Sequence, residues 1–115
     1  MIRVKRVYEK ADKGDGWRVL VDRLWPRGMT KEKAKADVWM KDVAPSDALR
    51  KWFGHEPEKW AAFQKKYPAE LAKNKPVFAE LKKMEKEHGT LTLLFGARDE
   101  EHNEAVVLAE VLKRK

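Results

Sequence analysis

Two short apolar runs interrupt a chain that is otherwise rich in charged residues. The first is the uninterrupted run Val19-Leu20-Val21, and the second is the stretch 90–96, in which Leu91, Leu93, Leu94 and Phe95 are apolar. Such apolar stretches are typical of strands that are covered on both faces. Pro26 lacks an amide donor and biases the residue before it towards an extended conformation, so the first of these strands is expected to end at about Leu24.

Helical patterns separate the two runs, which predicts that they form neighbouring, parallel, central strands. Residues 2–8 alternate partly between apolar and basic side chains, as in a strand at the edge of a sheet. The connection from there to Arg18 is short, and a parallel crossover usually needs a dozen or more residues. We therefore expect antiparallel pairing of the first two strands and a mixed sheet. Residues 38–40 are either a short third strand or a segment that lines a site.

Capping residues and apolar spacing predict the helices. Thr30 and Ser46 are each suited to cap a helix N-terminus, and Gly54 is suited to end the second helix. Asp99 is expected to cap the last helix, with His102 in its first turn. The predicted helices cover residues 31–36, residues 47–53, a stretch opened by Pro57, residues 77–88, and a final stretch whose residues 105–112 are strongly apolar.

One predicted helix carries an aromatic stripe. Four large apolar residues fall on a single helical face: Trp60, Phe63, Tyr67 and Leu71. We interpret this face as core packing rather than as a cofactor site. Pro68 lies inside the pattern and is expected to kink or restart the helix.

These elements predict one compact α/β domain over residues 1–115, with a small mixed sheet whose parallel central strands are flanked by helices. Charged residues make up 39% of the chain, and there is no cysteine. A charge-rich surface with few labile residues follows the trend of thermophilic proteins, so a thermophilic source is an expectation. The lack of cysteine excludes disulfides, thiol chemistry and thiolate metal sites.

The composition also argues against several classes of function. The three histidines lack metal-ligand spacing and no common phosphate-binding glycine motif is present, so neither a metal nor a cofactor is predicted. The chain has no membrane-spanning run and no signal-peptide pattern, which leads us to expect a cytoplasmic protein without a membrane partner. The formal net charge of +7 is not gathered into a basic tail or block, so it does not by itself indicate a nucleic-acid surface.

Two arginines follow the first apolar strand. Ligands of α/β sheets bind just beyond the carboxyl ends of the strands, where Arg23 and Arg27 are expected to lie. Both could hold a phosphate or carboxylate through bidentate hydrogen bonds, with Asp22 orienting one of them. The alternative is that Asp22 and an arginine form a purely structural ion pair.

Three residues are candidates for acid–base chemistry. His55 lies between a helix end and a helix start, although a loop histidine is also an ordinary surface residue. Lys41 and Asp42 are adjacent, and a buried lysine beside a carboxylate is one way to make a base. Ser46 lacks the context of a nucleophile and is explained by its capping role.

Several segments match a known family pattern. The most specific is Leu24-Trp25-Pro26-Arg27-Gly28, at the end of the first apolar strand. Further matches are Lys41-Asp42, Ala44-Pro45-Ser46, residues 49–55 and residues 103–108. Through these segments, nearly the whole chain resembles the short, YeaO-like branch of the domain of unknown function 488 (DUF488) family.

The resemblance implies a compact α/β domain but no defined activity. Longer relatives carry cysteines near the final strand and helix, where this chain has none, so no thiol-dependent role is carried over. The motif positions in this chain are Arg23, Trp25, Arg27, Lys41, Asp42, Ser46, Arg50, Trp52, His55, Tyr67 and Asn103.

The leading hypothesis is binding of a small anionic ligand, either a nucleotide or a phosphorylated metabolite, at the carboxyl ends of the central strands. Hydrolase or transferase activity would extend this hypothesis, with Lys41, Asp42 and His55 as catalytic candidates. The predicted ligand-binding residues are Arg23, Trp25, Arg27, Ser46, Arg50, Trp52, Tyr67 and Asn103.

The alternative hypotheses are a nucleic-acid-associated module that uses basic and tryptophan side chains, and a structural or regulatory domain that binds a protein partner. Exposure of Trp25, Trp39 and Trp52 discriminates between the first two hypotheses. A flat exposed surface favours nucleic acid, whereas a lined cleft favours a small ligand.

Overall fold

A computed structural model describes residues 1–114. Its sheet has four parallel strands in the order β1-β4-β2-β3. The strands are β1 (Ile2–Arg6), β2 (Trp17–Leu20), β3 (Val38–Trp39) and β4 (Leu91–Phe95). The predicted α/β class and the parallel central pair β2 and β4 are confirmed, and β1 lies outside this pair as expected. Strand β2 is shorter than predicted, because its pairing with β4 ends at Leu20.

The antiparallel pairing predicted for the first two strands is wrong, so the sheet is parallel throughout rather than mixed. Strand β4 lies between β1 and β2 and pairs with both in parallel. A return along five residues of strand covers about 16 Å, and a shift by two strands adds about 10 Å sideways. Residues 7–16 can reach about 33 Å when extended, so they make the crossover without an α-helix.

Five α-helices follow local signals in the sequence. The oxygens of the Thr30 and Ser46 side chains accept hydrogen bonds from Lys33 and Leu49, which confirms both predicted caps. Pro68 lies within a continuous helix, so it does not restart that helix. The helices are α1 (Lys31–Ala34), α2 (Asp47–Phe53), α3 (Trp60–Ala72), α4 (Lys75–His88) and α5 (Glu104–Arg114).

The predicted start of the last helix is wrong. Helix α5 begins at Glu104, and the side-chain oxygen of Asn103 accepts a hydrogen bond from the Val106 amide. Asp99 instead accepts bonds from two amides of the preceding loop, including that of His102. His102 therefore lies before the helix rather than in its first turn. Asn103 is fully buried, and it caps the helix in place of Asp99.

The main core lies between one face of the sheet and helices α2 to α5. Successive strand residues alternate between faces, which directs Val19, Leu91 and Leu93 towards the helices. The aromatic stripe of α3 packs on this face, as predicted: Phe63 is 2% exposed and Tyr67 is fully buried. Among residues 1–114, no helix is long and apolar enough to cross a membrane.

The opposite face of the sheet has a thinner cover. A small apolar cluster includes Leu20, Leu94 and Ala34 of the short helix α1. Beside it lies Asp15, which is fully buried in the connection between β1 and β2. The Asp15 carboxylate accepts hydrogen bonds from Arg18 Nη1 and from Lys5 Nζ, the latter at 3.2 Å. A buried carboxylate thus replaces the apolar packing that a longer helix would supply.

The same connection is held close to β4. The hydroxyl of Thr92 donates to the backbone carbonyl of Asp15 over 2.6 Å. Gly16 adopts a φ of 63°, and a Cβ atom there would lie 2.4 Å from the carbonyl oxygen of Thr90. Only glycine fits this approach, since the backbone of Thr90 cannot move without disturbing the start of β4.

We expect Asp15→Asn to destabilise the fold by about 3–5 kcal/mol at pH 7, because it leaves Arg18 buried without its anionic partner. Burial alone raises the pKa of Asp15, but hydrogen bonds from the Asp12 backbone, Lys5 and Arg18 together hold that pKa below its usual value. A lowered carboxyl pKa contributes stability that is present above the unfolded-state pKa and is lost as pH falls through the folded-state pKa. The difference in free energy of unfolding between parent and variant should therefore become smaller at acid pH.

Urea unfolding of parent and variant at pH 7 and pH 3 measures this difference. The exposed Asp42→Asn is the matched control, and it should change the free energy of unfolding by no more than about 0.5 kcal/mol. An Asp15→Asn protein as stable as the parent at pH 7 would contradict the structural role of Asp15.

Candidate functional site

A cleft of about 450 Å³ opens at the carboxyl ends of β2 and β4. This is the location at which α/β sheets bind ligands. Its walls come from residues 22–27 after β2, from α2 and its flanking loops, from residues 96–97 after β4, and from Glu104 at the start of α5. The cleft therefore joins segments that are far apart in the sequence.

Asp22 fixes the end of the cleft nearest the sheet. Its carboxylate Oδ2 accepts a hydrogen bond from the Gly96 amide at 2.8 Å, and its carbonyl accepts one from the indole of Trp39 at 2.7 Å. These bonds tie together the ends of β2, β3 and β4. A Cβ atom on Gly96 would lie 3.0 Å from Asp22 Oδ2, so the glycine permits this close contact.

Arg23 holds the loop before α2. Its Nε donates to the carbonyl of Pro45 at 3.0 Å, and its Nη2 donates to the carbonyl of Ala44 at 3.4 Å. Asp47 lies 3.8 Å from the same Nε. Two of the five N–H donors that could bind a ligand are thus directed to the loop.

Arg27 is placed differently. Its backbone carbonyl accepts a hydrogen bond from the Tyr8 hydroxyl at 2.7 Å, which fixes the loop at this point. The side chain is exposed at the cleft, and it makes no hydrogen bond or ion pair with the residues that the structure describes. Gly28 follows with a φ of 74°, which turns the chain away. The guanidinium of Arg27 is therefore available to a ligand.

Arg50 lines the cleft from α2. Its Nη2 lies 3.3 Å from Asp47 on the same helix. Its Nε is buried, and no acceptor within residues 1–114 reaches it. Buried donors normally have partners, so this atom has an unmet hydrogen bond in a residue that faces a cleft.

Glu104 was not identified from the sequence, although it lines the cleft. Burial raises the pKa of Glu104 well above its usual value, and a hydrogen bond with Asp22 adds to this effect. The carboxyl group of Glu104 therefore favours its protonated form beside Asp22. The sequence analysis began the last helix at Asp99, so Glu104 was only one of several acidic residues near its start.

Two other predicted site residues also line the cleft. Trp25 donates its indole hydrogen to the carbonyl of Met29 at 2.5 Å and packs edge-on against Trp39, with ring centroids 5.3 Å apart. His55 is exposed at the rim, close to Phe53, and has a φ of 58°. Both are therefore placed where a ligand could touch them.

The other two catalytic candidates lie outside this cleft. Lys41 is exposed and lies over the ring of Trp39, with its Nζ 5.0 Å from the ring centroid. Asp42 is exposed, and its backbone carbonyl accepts a hydrogen bond from Asn74. Lys41 is not buried, so it lacks the environment that would make it a base.

The remaining predicted ligand-binding residues have structural contacts. Ser46 is held by both oxygens of Glu70, at 2.6 and 2.9 Å. The hydroxyl of the buried Tyr67 donates to the carbonyl of Val43 at 2.7 Å, and burial raises the pKa of Tyr67. Asn103 caps α5, as described above. Trp52 is exposed on the outside of α2 and does not line the cleft.

Comparison with known proteins places the chain in a family. The family model described as the inactive DUF488-N3 subclade matches residues 1–115. The chain belongs to this family. This confirms the resemblance that its loop and helix motifs indicated. No solved structure matches the chain.

The curated relatives of this DUF488 chain have no assigned function. The uncharacterised protein YeaO of Escherichia coli K12 is 44% identical over 112 residues, which cover 97% of this chain and 96% of YeaO. The uncharacterised protein Rv3073c of Mycobacterium tuberculosis H37Rv is 42% identical over 111 residues, which cover 96% of this chain and 92% of that protein. The similarity therefore extends over nearly the whole chain.

We expect Glu104→Gln to change how stability depends on pH. The pKa of Glu104 is raised in the folded state, so above pH of about 4.3 the unfolded chain loses this proton while the folded chain keeps it. The parent should therefore lose stability as pH rises towards the folded-state pKa. Glutamine has no proton to lose, so the melting temperature of the variant should rise relative to that of the parent as the pH increases from 4 to 8.

Thermal melts of both proteins across this pH range test whether the pKa of Glu104 is raised in the folded state. Glu101→Gln, in the exposed loop before α5, is the control, and its melting temperature should depend on pH in the same way as that of the parent. A constant difference between Glu104→Gln and the parent from pH 4 to pH 8 would show that Glu104 titrates normally.

Proposed function

We propose that this DUF488 protein binds a small anionic ligand, a nucleotide or a phosphorylated metabolite, in the cleft at the ends of β2 and β4. The observation that carries the proposal is Arg50, whose buried Nε has no acceptor among residues 1–114 although the residue lines the cleft. The Arg50 side chain as a whole is 40% exposed, so a rotation of this side chain would present the donor to a ligand oxygen for a charge-assisted hydrogen bond.

Arg27 supports the same proposal. Its guanidinium is exposed at the cleft and is not engaged by the part of the chain that the structure describes. Lys51 and His55 add further polar groups to the lining, and Phe53 contributes an apolar wall. The cleft volume of about 450 Å³ lies within the usual range for small-molecule sites, about 300–1,000 Å³.

Binding without turnover is the form of the proposal that we favour. The subclade to which the chain belongs is described as inactive. The lysine and aspartate that the sequence offered as a catalytic pair, Lys41 and Asp42, do not line the cleft. Of the three catalytic candidates only His55 lines the cleft, so hydrolase or transferase activity would lack the lysine–aspartate pair there.

The tryptophans favour a small ligand over a nucleic acid. Trp25 is partly buried and lines the cleft. Trp39 and Trp52 are only 36% and 37% exposed, and lysine side chains lie over both rings. A stacking platform for bases needs open ring faces. The three rings therefore do not offer the flat surface on which the nucleic-acid hypothesis depended.

We expect Arg27→Met to leave the melting temperature nearly unchanged, since its guanidinium contacts no described part of the fold. The variant should lose the stabilisation that millimolar phosphate or AMP gives the parent, because a ligand stabilises only in proportion to its affinity for the folded state. Differential scanning fluorimetry with and without each compound measures both effects. Lys113→Met, at the far end of α5, removes the same charge away from the cleft and should behave as the parent.

Two results would contradict the proposal. One is a parent protein that responds to no phosphate compound beyond the effect of equal ionic strength. The other is an Arg27→Met variant that melts well below the parent, which would make this arginine structural. Binding of single-stranded oligonucleotides without any response to mononucleotides would instead support the nucleic-acid alternative.

A further inference from the structure

We infer that the ligand of the cleft is amphoteric: a phosphate or carboxylate anion that also carries N–H donors at its other end. The anionic end would lie at Arg27 and Arg50, and the N–H end at Asp22 and Glu104. This inference rests on the proposed binding function and names the class of ligand for the same site.

The carboxyl groups of Asp22 and Glu104 have no cationic partner. Neither forms an ion pair with any residue between 1 and 114, although three arginines line the same cleft. The guanidinium of Arg23 is directed to the loop before α2, and that of Arg50 to Asp47. The acidic and the basic groups that line the cleft are therefore not paired with one another, which leaves both available to a ligand.

The acidic end of the cleft is unsuited to a bare anion. Two neighbouring carboxyl groups cannot both ionise easily, and the pKa of Glu104 is raised by burial and by its hydrogen bond with Asp22. The carboxyl group of Glu104 therefore favours its protonated form, while the oxygens of Asp22 beside it remain hydrogen-bond acceptors. A phosphate placed there would be repelled, which restricts it to the arginine end.

The acceptor oxygens at this end fit a group that donates hydrogen bonds. Asp22 Oδ2 already accepts one bond, from the Gly96 amide, and a carboxylate can accept several. An amine or an amino-substituted ring would supply the remaining donors as charge-assisted bonds. A site built to bond such a group discriminates strongly against an analogue that lacks it, because the buried acceptors are then left unpaired.

The space between the two ends indicates the rest of the ligand. Its walls include the apolar side chains of Pro26, Phe53 and Phe63. A cleft of about 450 Å³ is much larger than a phosphate ion needs. The structure therefore favours a ring or a short aliphatic body that joins the anionic group to the N–H group.

Two pairs of phosphates test this inference by calorimetric titration of the full-length protein at pH 7. The first pair is AMP and purine riboside 5′-monophosphate, which differ only in the amino group of the ring. The second pair is phosphoethanolamine and ethyl phosphate, which differ only in the amine. We expect the N–H compound of at least one pair to bind tenfold or more tightly than its partner, and the pair that shows this identifies the source of the N–H group.

Variants then locate the effect. Glu104→Ala should reduce the difference within the discriminating pair to less than threefold and should leave the affinity for the compound without N–H groups unchanged or higher. Glu101→Ala, in the exposed preceding loop, is the matched control and should keep the full difference. The comparison of the two pairs on the parent protein needs no variant, so it remains decisive if Glu104→Ala does not fold.

The outcomes separate this inference from the function on which it rests. A parent that binds both members of each pair equally would overturn the amphoteric ligand and leave anion binding intact. A parent that binds none of the four compounds would overturn both. A tenfold preference that persists in Glu104→Ala would show that the N–H group is recognised elsewhere.

Discussion

The buried ion pair between Asp15 and Arg18 is the interaction on which the rest of the sheet depends. Helices α2 to α5 cover one face of the sheet, but the other face has only the four-residue helix α1 and the connection between β1 and β2. Arg18 also donates to the carbonyls of Ala34 and Lys35, so a single guanidinium joins β2, the connection and α1. Removing one partner of such a pair lowers the free energy of unfolding far more than removing a surface charge does, because the other partner stays buried without a counterion.

This constraint positions the cleft. With the connection fixed against β1 and β4, the two central strands end side by side, and Asp22 after β2 can accept a hydrogen bond from Gly96 after β4. The hydrogen bonds within each loop then determine which arginine side chains remain available to a ligand. Arg23 is directed to two loop carbonyls, whereas the side chain of Arg27 is left exposed at the cleft. The proposed ligand contacts therefore depend on which polar side chains the loops leave unpaired.

Local signals in the sequence predicted those features that local chemistry determines. The apolar runs identified β2 and β4, and Thr30, Ser46 and Gly54 marked helix ends through short-range hydrogen bonds or a left-handed backbone. The pairing of β1 could not be predicted in this way, since it depends on a buried contact between Asp15 and residues of two strands. The start of α5 was misplaced because Asp99 and Asn103 are both good caps, and only burial of Asn103 distinguishes them.

Only part of the candidate site could be predicted, because local signals in the sequence do not show contacts between distant segments. Arg23 and Arg27 follow an apolar strand, so their approximate position could be predicted from the sequence, although the strand ends at Leu20 rather than near Pro26. Glu104 was not, since its importance comes from packing against Asp22, which lies in a distant segment. Ser46 and Tyr67 were predicted to bind a ligand from the family resemblance, yet their polar groups bond to Glu70 and Val43. The resemblance thus pointed to these residues without saying whether they serve folding or binding.

The central claim is that the cleft at the ends of β2 and β4 is a ligand site. Titration of the ¹⁵N-labelled protein with AMP, followed by amide chemical shifts, tests it most directly. The account predicts saturable shifts at residues 22–27, 50–55 and 96–97, with little change at the far end of α4 and α5. Shifts centred on the outer surface of α2 and α3 around Trp52, or no saturable shift at all, would contradict it.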